Sequence, residues 1–217
     1  MPTNHRRRLV IVIVSAGVAL LVLVVIGVYG LLSRSQERTP SAQSTPQASV
    51  PPSAPVQFDG PQPIPETNDP ETFARSVANA LFNWDTRADA DVMDWAQELV
   101  DVANEDEAMG LASDVRAYLP NPGTWEQLRG YGTRQWISID SVAIPDQWAT
   151  ALAQATPGQL PPGATAFTVE GTRHRAGTWR ADPLRTDHEV AFTVFIACAE
   201  DSPCELLRLT RLDHPME

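Results

Sequence analysis

The stretch FTVFIACAEDSPCELLRLTRL, Phe192 to Leu212, predicts two β-strands joined by a short turn. Apolar and polar residues alternate on both sides of AEDSP, as in half-buried strands. The only two cysteines of the chain, Cys198 and Cys204, lie here, six positions apart. That spacing fits neither a C-x-x-C redox pair nor the usual zinc knuckle. Opposite Cα atoms of antiparallel strands lie about 4.5 Å apart at their closest, within disulfide range.

Whether these cysteines form a disulfide depends on the side of the membrane, because bridges persist in oxidising compartments. The segment Leu9 to Leu32 has 24 residues and no charge, and as a helix it would rise roughly 36 Å. This exceeds the bilayer core of about 30 Å, so we expect a transmembrane helix over residues 9–32. The alternative is a cleaved signal peptide, whose apolar core would be about 7–15 residues.

The flanking arginines predict the orientation of this helix. Arg6, Arg7 and Arg8 precede it, whereas Arg34 and Arg38 follow it with Glu37 between them. The positive-inside rule then places residues 1–8 in the cytoplasm and the remainder outside the cell membrane. In that compartment Cys198 and Cys204 are expected to form a disulfide at the end of the last hairpin.

A linker is predicted between the membrane and the folded part. Residues 33–65 are rich in Ser, Pro, Gln and Ala and lack apolar periodicity, which is typical of a disordered segment. As a flexible coil it would span roughly 30 Å, and fully extended about 100 Å. Residues 66–217 are then expected to form one extracytoplasmic domain.

The first part of this domain predicts helices. ETNDPETFARSVANALFNWD has a capping residue, a proline in the first turn and apolar residues at helical spacing, which indicates a helix over about Asp69 to Trp84. Further helices are predicted over about Asp89 to Ala103, in EDEAMGLASDVRAYLP, and in TWEQLRG, which Thr124 would cap. DQWATALAQ predicts another short helix.

The remainder predicts strands. TRQWISIDSVAIP, ATAFTVEGTRHRAGTW, HEVAFTVFIAC and CELLRLTRL alternate and are rich in β-branched residues. Helices followed by four strands in hairpin order indicate an α+β fold with an antiparallel sheet. The sheet face that meets the first helix is expected to comprise Phe167, Val169, Val190, Phe192, Val194 and Ile196.

Charge and motifs exclude several classes of function. From Glu66 onward, 25 acidic residues against 11 arginines give a net charge of −14, and so acidic a domain should repel nucleic acid. The histidines, His5, His174, His188 and His214, form no metal-ligand spacing. No nucleophile, phosphate-loop or zinc-protease motif is present in the sequence. We therefore expect no enzyme, no metal and no cofactor.

An interaction surface is the remaining candidate. RHRAGTWR contains Arg173, Arg175 and Arg180, a basic island in the acidic domain that either meets an acidic partner or forms an exposed hairpin end. Trp148 and Trp179 lie next to turns, so each is either an exposed binding residue or part of the core.

The order of these segments resembles the bitopic assembly subunits of type IV secretion and conjugation systems, including the TcpC-like conjugative transposon proteins. The likeness rests on NDPETFARSVANALFNWDT, a helix ending in an aromatic residue and an Asp, and on the closing strands AFTVFIAC and CELLRLTRL. Actinobacterial Mce-associated membrane proteins are similar in architecture. The resemblance implies a cystatin-like, nuclear-transport-factor-like domain of helices on a curved antiparallel sheet, with no catalytic residues.

These observations lead to two hypotheses of function. The first is a membrane-anchored scaffold or assembly subunit whose outer domain binds other proteins of a conjugative transfer or secretion complex, or a second copy of itself. The second is a small-ligand or lipid-binding accessory protein, with a pocket between helix and sheet. They are distinguished by whether Trp84, Phe167 and Phe192 fill that space.

Overall fold

Residues 60–200 and 202–216 are described by a computed structural model. The described helices are α1 (Pro70–Phe82), α2 (Val92–Val100), α3 (Ala108–Tyr118), α4 (Pro122–Gly130) and α5 (Gln147–Gln154). The strands are β1 (Trp84–Asp85), β2 (Arg134–Ala143), β3 (Ala164–Trp179), β4 (Asp182–Ala197) and β5 (Glu205–Leu209).

All five strands form one antiparallel sheet in the order β1-β2-β3-β4-β5. The ladder shifts register between Ile139 and Ser141 and again between Phe195 and Ile196, and such bulges bend a strand and increase its twist. The sheet is curled into a half-barrel with helices packed on it. The α+β prediction is confirmed, with one strand more than expected.

The core lies between α1 and the inner face of the sheet. Phe73, Ala74, Val77, Ala78 and Leu81 of the helix are at most 1% exposed. The six sheet residues predicted to face them, Phe167, Val169, Val190, Phe192, Val194 and Ile196, are all buried in the same cluster. The period-2 and helical patterns therefore identified both faces of the core.

The first helix ends earlier than predicted. Asp69 caps it as expected, accepting a hydrogen bond from the Thr72 backbone N–H, but the helix stops at Phe82. The Asn83 side chain accepts a hydrogen bond from the Ile137 backbone N–H at 3.0 Å, which draws the chain to the edge of β2. Trp84 and Asp85 then pair with β2 as a short strand.

Two other boundaries differ from the prediction. Helix α4 is capped by Asn121, whose side chain accepts from the Thr124 N–H at 2.9 Å, so Thr124 is a donor inside the helix. Ile64 is 7% exposed and belongs to the core cluster. The last residues of the predicted linker, from Gly60 onward, therefore belong to the packed domain.

The outer face of the sheet is partly covered. The Trp148 ring of α5 lies 6.0 Å from that of Phe195, and the C-terminal segment bonds to the same face, where Thr168 Oγ1 donates to the Met216 carbonyl at 3.0 Å. Trp148 is 7% exposed. Of the two alternatives for Trp148, the structure shows the buried one, because α5 folds back onto the sheet.

The predicted disulfide is present. The sulfur atoms of Cys198 and Cys204 are at bonding distance, and their Cα atoms are 4.1 Å apart. They extend the β4–β5 ladder by one position beyond the Ala197↔Glu205 pair. The bridge thus joins the two predicted strands of the final hairpin.

Within the residues that the structure describes, no helix is long and apolar enough to cross a membrane. The predicted cytoplasmic tail, transmembrane helix and most of the predicted linker, residues 1–59, lie outside the described residues.

Candidate binding site at the hairpin tip

The basic island lies at the tip of the longest hairpin. Strands β3 and β4 have 16 residues each and pair along their full length, from Ala164↔Ala197 to Trp179↔Asp182. The two turn residues, Arg180 and Ala181, have φ angles of 52° and 72°. Positive φ at both positions matches the right-handed twist of the strands, although neither residue is the glycine or asparagine that usually occupies them.

A small pocket of about 230 Å³ lies beside this tip. Leu128 and Tyr131 form its wall at the end of α4, and Arg175, Trp179 and Leu184 form the wall on the hairpin. Tyr131, Trp179 and Leu184 are 42%, 51% and 58% exposed. Three large apolar side chains are therefore held at the surface around one guanidinium.

Arg175 is the charged group of this pocket. Its Nε–H donates to the Gln135 Oε1 at 2.9 Å, and Gln135, itself 2% exposed, donates to the Phe82 carbonyl at 3.1 Å. The guanidinium carbon lies 5.4 Å from the ring centroid of the buried Trp84. The arginine is thus fixed by a hydrogen bond and by a cation–π contact.

The charge of Arg175 is not neutralised within the described part of the chain. No carboxylate between residues 60 and 216, residue 201 excepted, lies within 4.0 Å of its guanidinium nitrogens. Burial lowers the pKa of Arg175 below the ordinary arginine value, and the charge of Arg173 lowers it further. An anion that entered the pocket would relieve both effects.

The aromatic wall is tied to the end of α4. The rings of Tyr131 and Trp179 lie 5.3 Å apart, and Arg180 places its guanidinium carbon 5.8 Å from the Trp179 ring. The backbone N–H and hydroxyl of Thr178 both donate to the Tyr131 carbonyl, at 2.9 and 3.2 Å. These contacts hold the two sides of the pocket at a fixed separation.

The structure brings together most, but not all, of the predicted surface. Arg175 and Trp179 line the pocket, and Arg180 stacks on its rim. Arg173 lies two residues from Arg175 on the same face of β3, outside the lining. Trp148 lies elsewhere, against Phe195.

Sequence reasoning missed the residues from other segments. Leu128, Tyr131 and Leu184 join the pocket only through tertiary packing. The one available signal was Tyr131 between two glycines at the end of a helix, an aromatic residue in a turn. No group of three or more His, Cys, Asp or Glu side chains among the described residues could hold a metal ion.

A second pocket, of about 260 Å³, lies where residues 60–65 cross α1 and α2. Its lining includes Trp95, which is 3% exposed and whose indole N–H has no hydrogen-bond partner among the described residues. Its charged lining residue is Glu98, which is half-buried on α2, so this pocket lacks the cation that Arg175 supplies at the hairpin tip.

Comparison with known proteins finds no family model, no curated protein and no solved structure that matches this chain.

Proposed function

We propose that this chain is a membrane-anchored extracytoplasmic protein whose α+β domain docks other proteins through the hairpin-tip pocket. The observation that carries the proposal is Arg175, a partly buried arginine without an ionic partner in the described residues, surrounded by exposed aromatic and aliphatic side chains. Such a combination of arginine and aromatic residues is typical of the energetic centre of protein interfaces. Docking of this kind requires no catalytic activity of the domain.

The pocket predicts the chemistry of its partner. A volume of about 230 Å³ is below the 300–1,000 Å³ usual for small-molecule sites, and suits one or two side chains. The Arg175 guanidinium is complementary to an anion. An apolar side chain of the partner would be complementary to the exposed Tyr131, Trp179 and Leu184. The expected partner segment therefore presents a carboxylate next to an apolar side chain.

The alternative of a ligand carrier has less support. In a cystatin-like cone the ligand would lie between helix and sheet. In this chain Trp84, Phe167 and Phe192 occupy that space, at 0%, 7% and 0% exposure, within one continuous core. This filled core favours docking at the surface over carriage inside.

The kind of complex in which this docking domain works is inferred from the order of segments along the whole chain. A charge-free segment over residues 9–32, a Pro-rich linker and one curled-sheet domain are the parts of a subunit that works at a distance from its membrane. We place it in a conjugative transfer or secretion complex, as the resemblance implies, with an Mce-associated accessory role as the alternative. The cystatin-like assignment of the fold belongs to the same proposal.

Photo-crosslinking tests the docking site. A photoreactive residue is placed at Leu184, 58% exposed in the pocket wall, or at Met109, 89% exposed on α3. In the full-length chain in its native membrane, Leu184 should yield discrete adducts with other membrane-complex proteins, and Met109 should not. Arg175→Met should lower the Leu184 yield by about tenfold, equivalent to ~1.4 kcal/mol.

The control is a thermal melt of each variant, which confirms that the domain stays folded. Equal adducts at both positions, or a yield that Arg175→Met leaves unchanged in a folded domain, would reject the pocket as the docking site.

A further inference from the structure

The outer face of the sheet carries a hydrogen-bonded Ser–His–Asp chain across three adjacent strands. Ser138 Oγ lies 2.9 Å from His174 Nε2, and His174 Nδ1 lies 2.6 Å from Asp187 Oδ1. His174 pairs directly with Asp187 in the β3–β4 ladder, and Ser138 lies diagonally across the β2–β3 ladder. From this geometry we infer that the domain has a second function, acyl transfer with Ser138 as the nucleophile and His174 as the base.

The positions of the protons in the Ser138–His174–Asp187 hydrogen bonds favour this role. Hydrogen bonds from His174 and, to a smaller extent, from Arg185 lower the pKa of Asp187 below its ordinary value, so this carboxylate is ionised and only accepts. His174 Nδ1 lies 2.6 Å from Asp187 Oδ1, which only accepts, and 3.2 Å from an Arg185 guanidinium nitrogen, which only donates; the shorter contact assigns the Nδ1 proton to the bond with Asp187. In the neutral ring, Nε2 is left as the acceptor for the Ser138 hydroxyl, which is the arrangement of an activated serine.

Neighbouring side chains hold the imidazole in place. The Trp136 ring stacks on it at 5.1 Å with an interplanar angle of 27°. Arg185 donates from Nε to Asp187 Oδ1 at 3.2 Å and lies over Trp136 at 5.2 Å. The His174 side chain is 12% exposed, whereas Ser138 is exposed. The base is therefore fixed, and the nucleophile is open to a substrate.

A groove of about 420 Å³ over the neighbouring β3–β4 ladder indicates the class of substrate. Four acidic residues line it, namely Asp140, Glu170, Glu189 and Asp213. Ser138 is not part of this lining; it pairs with Thr172, which on its other side pairs with Glu189 of the groove, so the groove lies one strand away from the nucleophile. Four carboxylates attract a cation, and the expected substrate is an ester or thioester whose leaving group carries a positive charge.

The reaction balances within this set of residues. Ser138 Oγ bonds to the carbonyl carbon, its proton passes to His174 Nε2, and the bond to the leaving oxygen or sulfur breaks as that atom takes the proton. Water then attacks the acyl-serine and gives a proton to Nε2. The bond from Oγ to the acyl carbon breaks, and Ser138 regains its proton.

A fluorophosphonate probe tests the nucleophile directly. The probe forms a phosphorus–oxygen bond at an activated serine, and fluoride leaves. In the full-length chain, peptide mapping should find the adduct on Ser138. The matched control is Ser141 of the same strand, which donates to Glu170 Oε2 at 2.9 Å and has no histidine partner in the described part of the chain.

Four measurements on variants show whether Ser138 is labelled because His174 activates it or only because it is exposed. Ser138→Ala should abolish labelling and Ser141→Ala should leave it unchanged. His174→Ala should abolish it as well, and added imidazole should restore it, which a purely structural histidine would not allow. An unlabelled wild-type chain, or equal labelling of Ser138 and Ser141, would overturn the inference.

A pair of substrates tests the groove. Acetylthiocholine and its neutral isostere, 3,3-dimethylbutyl thioacetate, differ in the positive charge of the leaving group. The cationic thioester should be hydrolysed with a kcat/KM at least about tenfold higher, and the double variant Glu170→Gln, Glu189→Gln should reduce that preference. Equal rates for the two thioesters would overturn the cationic assignment.

Discussion

Replacing Gly163 by alanine should destabilise the domain through contact with backbone. Gly163 precedes β3 at a φ of +72°, and a Cβ atom there would lie 2.0 Å from the Cys198 carbonyl oxygen and 2.5 Å from its carbon. The left-handed conformation alone costs an alanine about 1 kcal/mol. The contact must also push the strands apart, which costs about 1–3 kcal/mol of strain.

The same movement weakens the 3.1 Å hydrogen bond from the Cys198 N–H to the Gly163 carbonyl, worth about 1 kcal/mol. The total loss of unfolding free energy should be about 3–5 kcal/mol. Gly158 is the matched control, because its φ is +80° and no atom lies within 4 Å of a Cβ there. Gly158→Ala should therefore cost about 1 kcal/mol.

The measurement is urea unfolding of both variants, followed by far-ultraviolet circular dichroism. The difference of about 2–4 kcal/mol corresponds to a gap of about 8 °C in Tm for a domain of this size. Equal losses of unfolding free energy in Gly163→Ala and Gly158→Ala would show that the backbone at Gly163 relaxes without disturbing β4. That result would refute the reasoning.

Three further predictions concern the bridge, the core and the turn. Reduction of Cys198–Cys204 should lower the unfolding free energy by about 2 kcal/mol, the chain entropy of so short a loop, with no effect of reductant on a variant with both cysteines replaced by serine. Burial raises the pKa of Tyr118 above the ordinary tyrosine value of about 10. The unfolded chain ionises first, so stability should fall as pH rises above about 10, by up to ~1.4 kcal/mol per pH unit, and alkaline titration of Tyr118→Phe should lack this loss; an unchanged slope would contradict it. Replacing Arg180–Ala181 by Asn-Gly should raise Tm, because these residues adopt the positive φ angles of the turn with less strain. The same change removes the Arg180 guanidinium from Trp179 and should reduce partner crosslinking at Leu184. A lower Tm would contradict the turn assignment.

The sequence predicted the elements that carry their own periodicity. Strand β3 was predicted with both correct ends, since it alternates throughout and is bounded by turn residues. Strand β4 begins at Asp182, six residues before the predicted start at His188. Residues 182–189 are all exposed, so no hydrophobic pattern marks them, and only their pairing with β3 makes them a strand.

The candidate sites depend on information that is not local. Tyr131 and Arg175 meet because the end of α4 packs against the hairpin, and neither residue has a pattern that predicts the other. Ser138 and His174 are 36 positions apart, and His174 and Asp187 are 13 apart. Their alignment follows from the strand register, and a slip of one residue would turn each side chain to the opposite face.

The bridge between Cys198 and Cys204 also determines how a mechanical load would pass through the domain. The Cys204 N–H donates to the Thr67 carbonyl at 2.8 Å, at the point where the chain enters the fold. Tension along residues 60–67 therefore loads this hydrogen bond, which ties the entering chain to the hairpin that the disulfide closes. From there it passes to β4, which is bonded to strands on both sides. A covalent link at the entry point prevents β5 from peeling away alone and distributes the force over the ladders of the sheet.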